Sequence, residues 1–575
     1  MADDDLATPQ VAFGFRIILT VLKPRRRAEL QFGLITAWDR QRAELEFVAP
    51  ISAILMKTDF DVIIIGAGGS GLAAAVSASE NGCSVLLLEK RPQPGGTTGI
   101  AVGSFTANRT GMQKRAGIPD ELEHHAEDAG KFAPSDIESR NNFALRNYFL
   151  SHTAETLNWL QGMGLNFHGP SPEPPNRVPR MHNVVPNAKA YIATLQARFL
   201  RLSGQMICDA TVQSLITNDT RVVGVEAECD GIMHGYSASR GVVLACGDYA
   251  NSHQLISEYK GDQFGQIDGI NPFASGEGHR LAQSAGARLV NMDITYGPEI
   301  RFVAPEGKFS FQQLLPTSGP LAWLMGRILP LVPKCIINAM IKRLLVTWQH
   351  PENALFADGA ILINQRGERF CNEKQWPDRE IAIANQPDKL AYILLDKRLC
   401  ERYSVWPHFI STAPKIAYAY VNDYLRLRSD VARSSSSADE LAHKLSIDHE
   451  LFRKSIESYN AYATGKETDR FGRSGDHETL RGNRWVMLGP ARAYFTTTEG
   501  GAAIDETLRV LDEQGIPIPG LYAVGQNGLG GQILWGHGLH IAWALTSGRL
   551  VGKVLGSTAG PAYGPSGFGP GGPPE

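Results

Sequence analysis

The sequence predicts an α/β chain: a parallel, helix-covered sheet that begins near residue 61, is interrupted by an inserted α+β segment, and is completed near the C-terminus. Three observations predict it. Asp61-Val62-Ile63-Ile64-Ile65 is a β-branched run bounded by glycine, followed by an alanine-rich helical stretch and a second apolar run at 84–88, which together make a βαβ unit. Strand-like runs of the same character return at 241–244 and 521–524. Between about 272 and 484 this alternation breaks down.

A chain of 575 residues with 43% apolar residues can bury a large core and divides into several parts. The expected division is an extension at 1–55, a nucleotide-binding part at 56–271, a cap over the substrate at 272–484, a return to the first part at 485–556 and a Gly/Pro-rich disordered tail at 557–575. The apolar patch VAFGFRIILTVL in the extension is interrupted by Arg16 and is too short to span a bilayer. Met56-Lys57-Thr58 stands directly before the first strand, so 1–55 is expected to be an appendage from an over-long start assignment.

Charges of both signs are interspersed, with a net charge of -3, so the chain has no basic face and nucleic acid is excluded as a partner. Its seven cysteines lie far apart without a CxxC or CxxCH, which speaks against a disulfide framework, an iron–sulfur cluster, attached haem or a structural zinc. A reducing, cytoplasmic setting fits that usage.

The first turn of the βαβ unit is Gly66-Ala67-Gly68-Gly69-Ser70-Gly71. Gly66 permits a tight turn, Gly68 lets the backbone approach a pyrophosphate, and Gly71 lets helix and sheet close, while the helix N-terminus offers free N–H groups to the anion. Glu89, eighteen positions after Gly71 and next to Lys90, sits where an acid accepts from an adenosine ribose. A second loop, Pro94-Gly95-Gly96-Thr97-Thr98-Gly99, leads to Ala101-Val102-Gly103-Ser104, and suits a ligand longer than NAD.

These motifs resemble the fumarate reductase/succinate dehydrogenase flavoprotein superfamily, which includes 3-ketosteroid dehydrogenases and urocanate reductases. The resemblance implies FAD, with Gly96, Thr97, Thr98 and Gly103 around its pyrophosphate and flavin edge. Ala210-Thr211-Val212-Gln213-Ser214-Leu215-Ile216 is similar to the hairpin whose valine, here Val212, meets the adenine. Gly241-Val242-Val243-Leu244-Ala245-Cys246-Gly247-Asp248-Tyr249 resembles the family's VVLATGGF turn, with Cys246 and Asp248 as variations. Ile518-Pro519-Gly520-Leu521-Tyr522-Ala523-Val524-Gly525-Gln526 resembles IPGLYAAGE, which implies that Gln526 reaches the ribityl chain. Gly276-Glu277-Gly278-His279 and Gly367-Glu368-Arg369-Phe370-Cys371-Asn372-Glu373 match further segments. No histidine occupies the loop after Gly96, where covalent members attach the cofactor, so non-covalent FAD is expected.

By the same resemblance the helix after Trp535-Gly536-His537-Gly538-Leu539-His540 points its N-terminus at the pyrimidine side of the flavin, with the backbone N–H groups of Leu539, His540 and Ile541 as carbonyl contacts. Reduced flavin is anionic near that edge, and a helix N-terminus carries roughly half a positive charge. The substrate residues are less clear. The family's HGxNRLGGN arginine loop is absent, Trp535 standing near the arginine's place, and its HxMGG histidine is replaced within Thr496-Thr497-Thr498-Glu499-Gly500-Gly501, which argues against a dicarboxylate.

Tyr296 is a candidate proton donor or base facing the flavin, and a tyrosine beside Gly-Pro is also a common turn residue. Arg379, and Arg398 or Arg402, are the candidates for the family's proton-relaying cap arginine, against a reading of each as a structural ion pair. His537 and His540 are the ionisable candidates beside the flavin helix. Residues 314–348 carry an apolar run broken by prolines and an amphipathic stripe. That pattern fits a lid, a membrane-surface patch, a subunit interface or plain core.

The expectation is thus an α/β, Rossmann-like FAD-binding domain with an inserted α+β cap, acting as an oxidoreductase on a CH–CH bond next to a carbonyl of a small-molecule substrate. It would have a lipophilic, steroid-like ketone as substrate, an unknown electron donor or acceptor, and membrane-surface contact through 314–348. A dicarboxylate reductase, a flavoprotein oxidase and a non-catalytic flavin-binding subunit are the alternatives.

Overall fold

The computed structural model describes residues 59–303, 349–413, 417–475 and 478–557, with some helical residues between 339 and 347. The expectations for 1–55, for the tail beyond 557 and for most of 314–348 fall outside the described residues.

An eight-stranded sheet runs in the order Arg509–Leu511, Pro517–Ala523, Ile232–Leu244, Asp59–Ile65, Val85–Leu88 and Gln205–Ile207, with the strands Ala210–Asn218 and Arg221–Cys229 built out from Ile232–Leu244. The glycine-bounded run is its centre: Asp59–Ile65 pairs in parallel with Val85–Leu88 on one side and with Ile232–Leu244 on the other. Val62, Ile63 and Ile64 have no exposed surface, so this central parallel strand has no solvent side on which polar residues could alternate.

Gly69–Glu80 lies against the sheet and Leu539–Ser557 packs on that helix, and small residues let the two approach closely. A Cβ at Gly548 would stand 2.3 Å from the Ser70 carbonyl oxygen, and one at Gly552 would stand 2.5 Å from the Ala78 nitrogen. Ser77 Oγ donates to the Arg549 carbonyl across the same seam. The alanine-rich stretch is therefore a helix–helix contact as well as the second element of the βαβ unit.

A second sheet is organised on the long strand Trp485–Phe495. Antiparallel partners are Glu299–Phe302, Ala391–Leu395 and Ala432–Ser435, with Ile361–Ile363 beyond Ala391–Leu395 and a short parallel pairing at Asp268–Gly269. It has its own core, in which Ile361, Leu362, Ile393, Leu394, Val486 and Leu488 are fully buried. Trp485–Phe495 begins where a return to the first part is expected, yet it pairs with the second sheet. The chain rejoins the first sheet only at Arg509–Leu511 and Pro517–Ala523.

The segment Arg369-Phe370-Cys371-Asn372-Glu373 is a structural knot here. Arg369 Nε donates to Glu373 Oε1 at 2.8 Å, Arg473 Nη1 donates to Glu373 Oε2 at 2.8 Å, and all three side chains are buried. A carboxylate flanked by two guanidiniums meets the condition for burying charge, that each ion be paired and hydrogen-bonded.

Candidate active site

A cleft of about 350 Å³ runs from the first crossover of the eight-stranded sheet to the first turn of Leu539–Ser557. Its one half is mostly backbone. Gly66 has φ of +102°, and a Cβ there would meet the Ala245 carbonyl oxygen at 2.6 Å, so only glycine turns the chain this tightly. Gly71 closes helix against strand: a Cβ would lie 1.8 Å from the Gly66 carbonyl oxygen. The helix Gly69–Glu80 starts at Gly68 without a side-chain cap and without an acid in its first turn, and its N-terminal residues Gly68, Gly69 and Ser70 line the cleft. That end is an anion site of the kind a pyrophosphate fills.

Gly96, Thr97 and Thr98 line the opposite wall, and a Cβ on Gly96 would come within 3.1 Å of Gly68 Cα, so the two glycine loops converge. Gly103, Val212, Ala245 and Gly247 also line it. Glu89 is buried and lines the cleft with its carboxylate held from behind: Ala67 N–H donates to Oε2 at 2.7 Å and Arg91 N–H to Oε1 at 3.0 Å. Lys90 lines the same end but spends its ammonium on Glu277 at 2.7 Å, tying the crossover to the GEGH turn. Gly71, Gly95, Gly525 and Leu539 stand behind the wall and not in it. Gly525 has φ of +60° and no room for a Cβ beside Ser70 Oγ at 2.7 Å.

Two buried oxygens in or behind this wall have no hydrogen-bond partner. Gln526 donates its Nε2 to Thr497 Oγ1 at 2.8 Å and to the Thr498 carbonyl at 3.0 Å, which leaves Oε1 bare, and Asp248 keeps a bare Oδ2. Buried acceptors are almost always satisfied, so these point to a polar ligand in the cleft. A ligand with an anionic pyrophosphate between two polar ends fits the donors, glycines and bare acceptors present. Cys246 adds no reactivity, because burial pushes its thiol up to about 12.

The other half of the cleft is built from side chains. Tyr296, Glu299, Arg301, Gln349, His350, Thr496, Trp535 and His537 line it. Tyr296 and Trp535 meet edge to face at 5.6 Å and 87°, forming an aromatic corner. Thr295–Tyr296 is held by antiparallel pairing with Thr497–Thr498. Burial, and then the nearby Glu299 charge, push the Tyr296 phenol well above its ordinary value, so it stays protonated and serves as a donor.

Arg301 Nη2 donates to Glu299 Oε2 at 2.7 Å and to Thr496 Oγ1 at 3.2 Å, while His350 Nδ1 stands 3.6 Å from Glu299 Oε1. Burial alone would raise the Glu299 carboxyl, but His350 and Arg301 outweigh it and hold it ionised below its usual range. Burial likewise lowers His350, leaving it neutral near pH 7.

His537 Nδ1 is 2.5 Å from Glu173 Oε1, and the same oxygen accepts from the His537 backbone N–H at 2.9 Å. The hydrogen bond to Glu173 raises the imidazole above its ordinary value against the opposing effect of burial. His537 is 56% exposed although protein surrounds it, because the exposed area faces the cleft.

Tyr296, His537 and His540 therefore reach the cleft, and His540 is further tied to Glu499 Oε1 at 2.9 Å. Arg379 and Arg398 do not. Arg379 is buried in the second sheet's core, donating from Nε to Glu380 Oε1 at 2.9 Å and from Nη1 to the Glu373 carbonyl at 3.0 Å. Arg398 donates to the Asp358 carbonyl at 2.9 Å and pairs with Glu478 at 3.4 Å. Each guanidinium is engaged away from the cleft, in the structural ion-pair arrangement, although Arg398 Nε makes no hydrogen bond.

Sequence reasoning missed Glu299, Arg301, His350 and Glu173. The alternation Glu299-Ile300-Arg301-Phe302, with apolar residues buried and charged ones half-buried, was a legible sign that Glu299 and Arg301 share a face. Glu173, between prolines on a loop, gave no such sign.

Residues 61–299 and 336–533 match the family described as "FAD binding domain". The chain is 26% identical over 477 residues to an NADH:fumarate oxidoreductase of Klebsiella pneumoniae, covering 81% of this chain but only 44% of that protein. It is 26% identical over 489 residues to a urocanate reductase of Eggerthella lenta, covering 82% of this chain and 70% of that protein. Among solved structures, an open conformation of a flavocytochrome c3 fumarate reductase superposes with a TM-score of 0.64 at 23% identity, covering 91% of this chain and 81% of that one.

Proposed function

Because the chain belongs to the FAD-binding-domain family and is an FAD-dependent oxidoreductase, we propose that it moves a hydride and a proton across a carbon–carbon bond next to a carbonyl, in a substrate without a pair of carboxylates. The observation that carries this is the charge balance of the substrate half: Arg301 is matched by Glu299, the His537 imidazolium by Glu173, and His350 is neutral. Among the described residues no cation there stands without a nearby acid, so a dianion would meet no unmatched charge on these walls, whereas a neutral carbonyl meets donors and an aromatic corner.

FAD would lie along the backbone half, between Glu89 and the first turn of Leu539–Ser557, and when bound it supplies or accepts the hydride. The protein does the rest. The Tyr296 phenol and the His537 imidazolium face the substrate half as donors, able to polarise a carbonyl and to deliver the partner proton. Glu173 fixes the ring and keeps it charged, and Thr496, Arg301 and Glu299 hold one another as a rigid wall. Trp535 fills the place beside Tyr296 with a flat apolar face, which suits a lipophilic ring ketone.

The test is reoxidation of the photoreduced holoprotein by neutral enones, including a steroid enone, and by fumarate and urocanate. Faster turnover of the neutral enones is expected. A dicarboxylate reductase is the second reading, favoured by the similarity to the fumarate oxidoreductase of Klebsiella pneumoniae. Reoxidation by fumarate alone would establish it and overturn the first.

A further inference from the structure

Asp248 has no part in the chemistry above, yet it is the most unusual acid in the cleft. It is 1% exposed, lines the same cleft, and lies in the turn after Ile232–Leu244, where the similar motif carries glycine. Oδ1 accepts the Ala250 backbone N–H at 2.9 Å, and Oδ2 is bare. Among the described residues no lysine or arginine pairs with it. The groups facing it are the Thr497 hydroxyl, His540 on the terminal helix, Glu499 behind His540, and the Tyr249 phenol next to it, which is spent on the Met292 carbonyl. His540 and Gln526 belong to the flavin end of the cleft, whereas Cys246, two residues earlier, faces Glu277, Lys90 and Glu89 at the adenosine end.

We propose that Asp248 is a flavin-tuning residue, whose carboxyl is neutral beside the reduced ring and whose ionisation opposes reduction of the bound cofactor. A buried acid without a cation favours its neutral form, and burial does raise this carboxyl above its ordinary value. A negative ring nearby favours that form more, because two like charges in a low-dielectric site repel strongly. The balance is explicit. Two electrons and one proton convert oxidised flavin to its negatively charged reduced form. Where Asp248 is ionised beforehand, a second proton goes to its carboxylate, so two protons accompany the electron pair.

The experiment is a spectroelectrochemical titration of FAD-loaded protein against pH, with D248N as the permanently neutral variant that retains a hydrogen-bond donor. In the wild type, the potential should fall twice as steeply with pH over the window in which Asp248 is ionised only when the flavin is oxidised. In D248N that steep segment should vanish, and the potential at high pH should lie above that of the wild type. Identical profiles in the two proteins would overturn the proposal. Should D248N fail to retain flavin, the wild type decides alone. Proton uptake on direct electrochemical reduction, read with an indicator dye up to about pH 9 and above the pH at which the reduced ring itself takes a second proton, should exceed one per electron pair within part of that range. One proton throughout would refute it. Neither measurement involves a substrate.

Discussion

The two halves of the cleft are made differently. The cofactor half is mostly backbone from short local segments: two glycine loops, a helix N-terminus and the start of the last helix. The substrate half is mostly side chains gathered from Glu173, Tyr296 to Arg301, His350, Thr496 and Trp535 to His537, segments far apart in sequence. A pyrophosphate can be held by N–H groups that every residue possesses, so its site needs only the right turns and the absence of Cβ atoms. A substrate is recognised by particular side chains, whose meeting depends on segments of both sheets reaching one cleft.

The largest effect should come from breaking the backbone half. Gly71→Val puts a branched side chain where even a Cβ lies 1.8 Å from the Gly66 carbonyl oxygen. The protein should lose its flavin absorbance or its soluble expression, and a yellow, stable G71V would show the turn to be adaptable.

In the side-chain half, His537→Ala should leave flavin content unchanged and lower the rate of flavin reoxidation by substrate about 10²–10⁴-fold, measured by stopped flow. An equal loss of bound FAD would instead place His537 with the cofactor.

Glu89→Ala removes a charged acceptor from the adenosine end and should weaken FAD binding about 10–100-fold by fluorescence titration, with the chemical step of the loaded protein unchanged.

Glu173→Gln tests the pH sign. The imidazolium of His537 is present below its raised value and is lost as pH rises through it, so a rate that needs it falls on the alkaline side. Removing Glu173 takes away the main cause of the rise, and that limb should move to lower pH. The stability contributed by the pair is present below the unfolded histidine value and disappears over the same rising window.

The smallest effect is expected for Arg398→Ala, whose partners lie away from the cleft: turnover should change by no more than about twofold. A large loss of turnover with intact folding would return Arg398 to the chemistry.

Much of the cofactor half was legible before any coordinates, because it is written in contiguous residues. The tight turn at Gly66 to Gly71 and the cleft-lining positions of Glu89 and Thr97–Thr98 follow from local geometry. The substrate half was legible only in part. Tyr296 and His537 stand beside readable turns, whereas Glu173 and His350 have no local pattern that sets them apart from surface residues. Arg379 and Arg398 show the converse: their type suited proton relay, but partners in the second sheet and its surroundings had already used their charge.

The sequence by itself determined the βαβ crossover, the dinucleotide-shaped turn and the glycine-lined backbone of the cofactor half, since tight turns and helix ends depend on residues that are neighbours along the chain. Only the tertiary structure decided which charges face the substrate and which neutralise one another. An ion pair such as His537 with Glu173 is a distance in space, and its partners stand 364 positions apart along the chain.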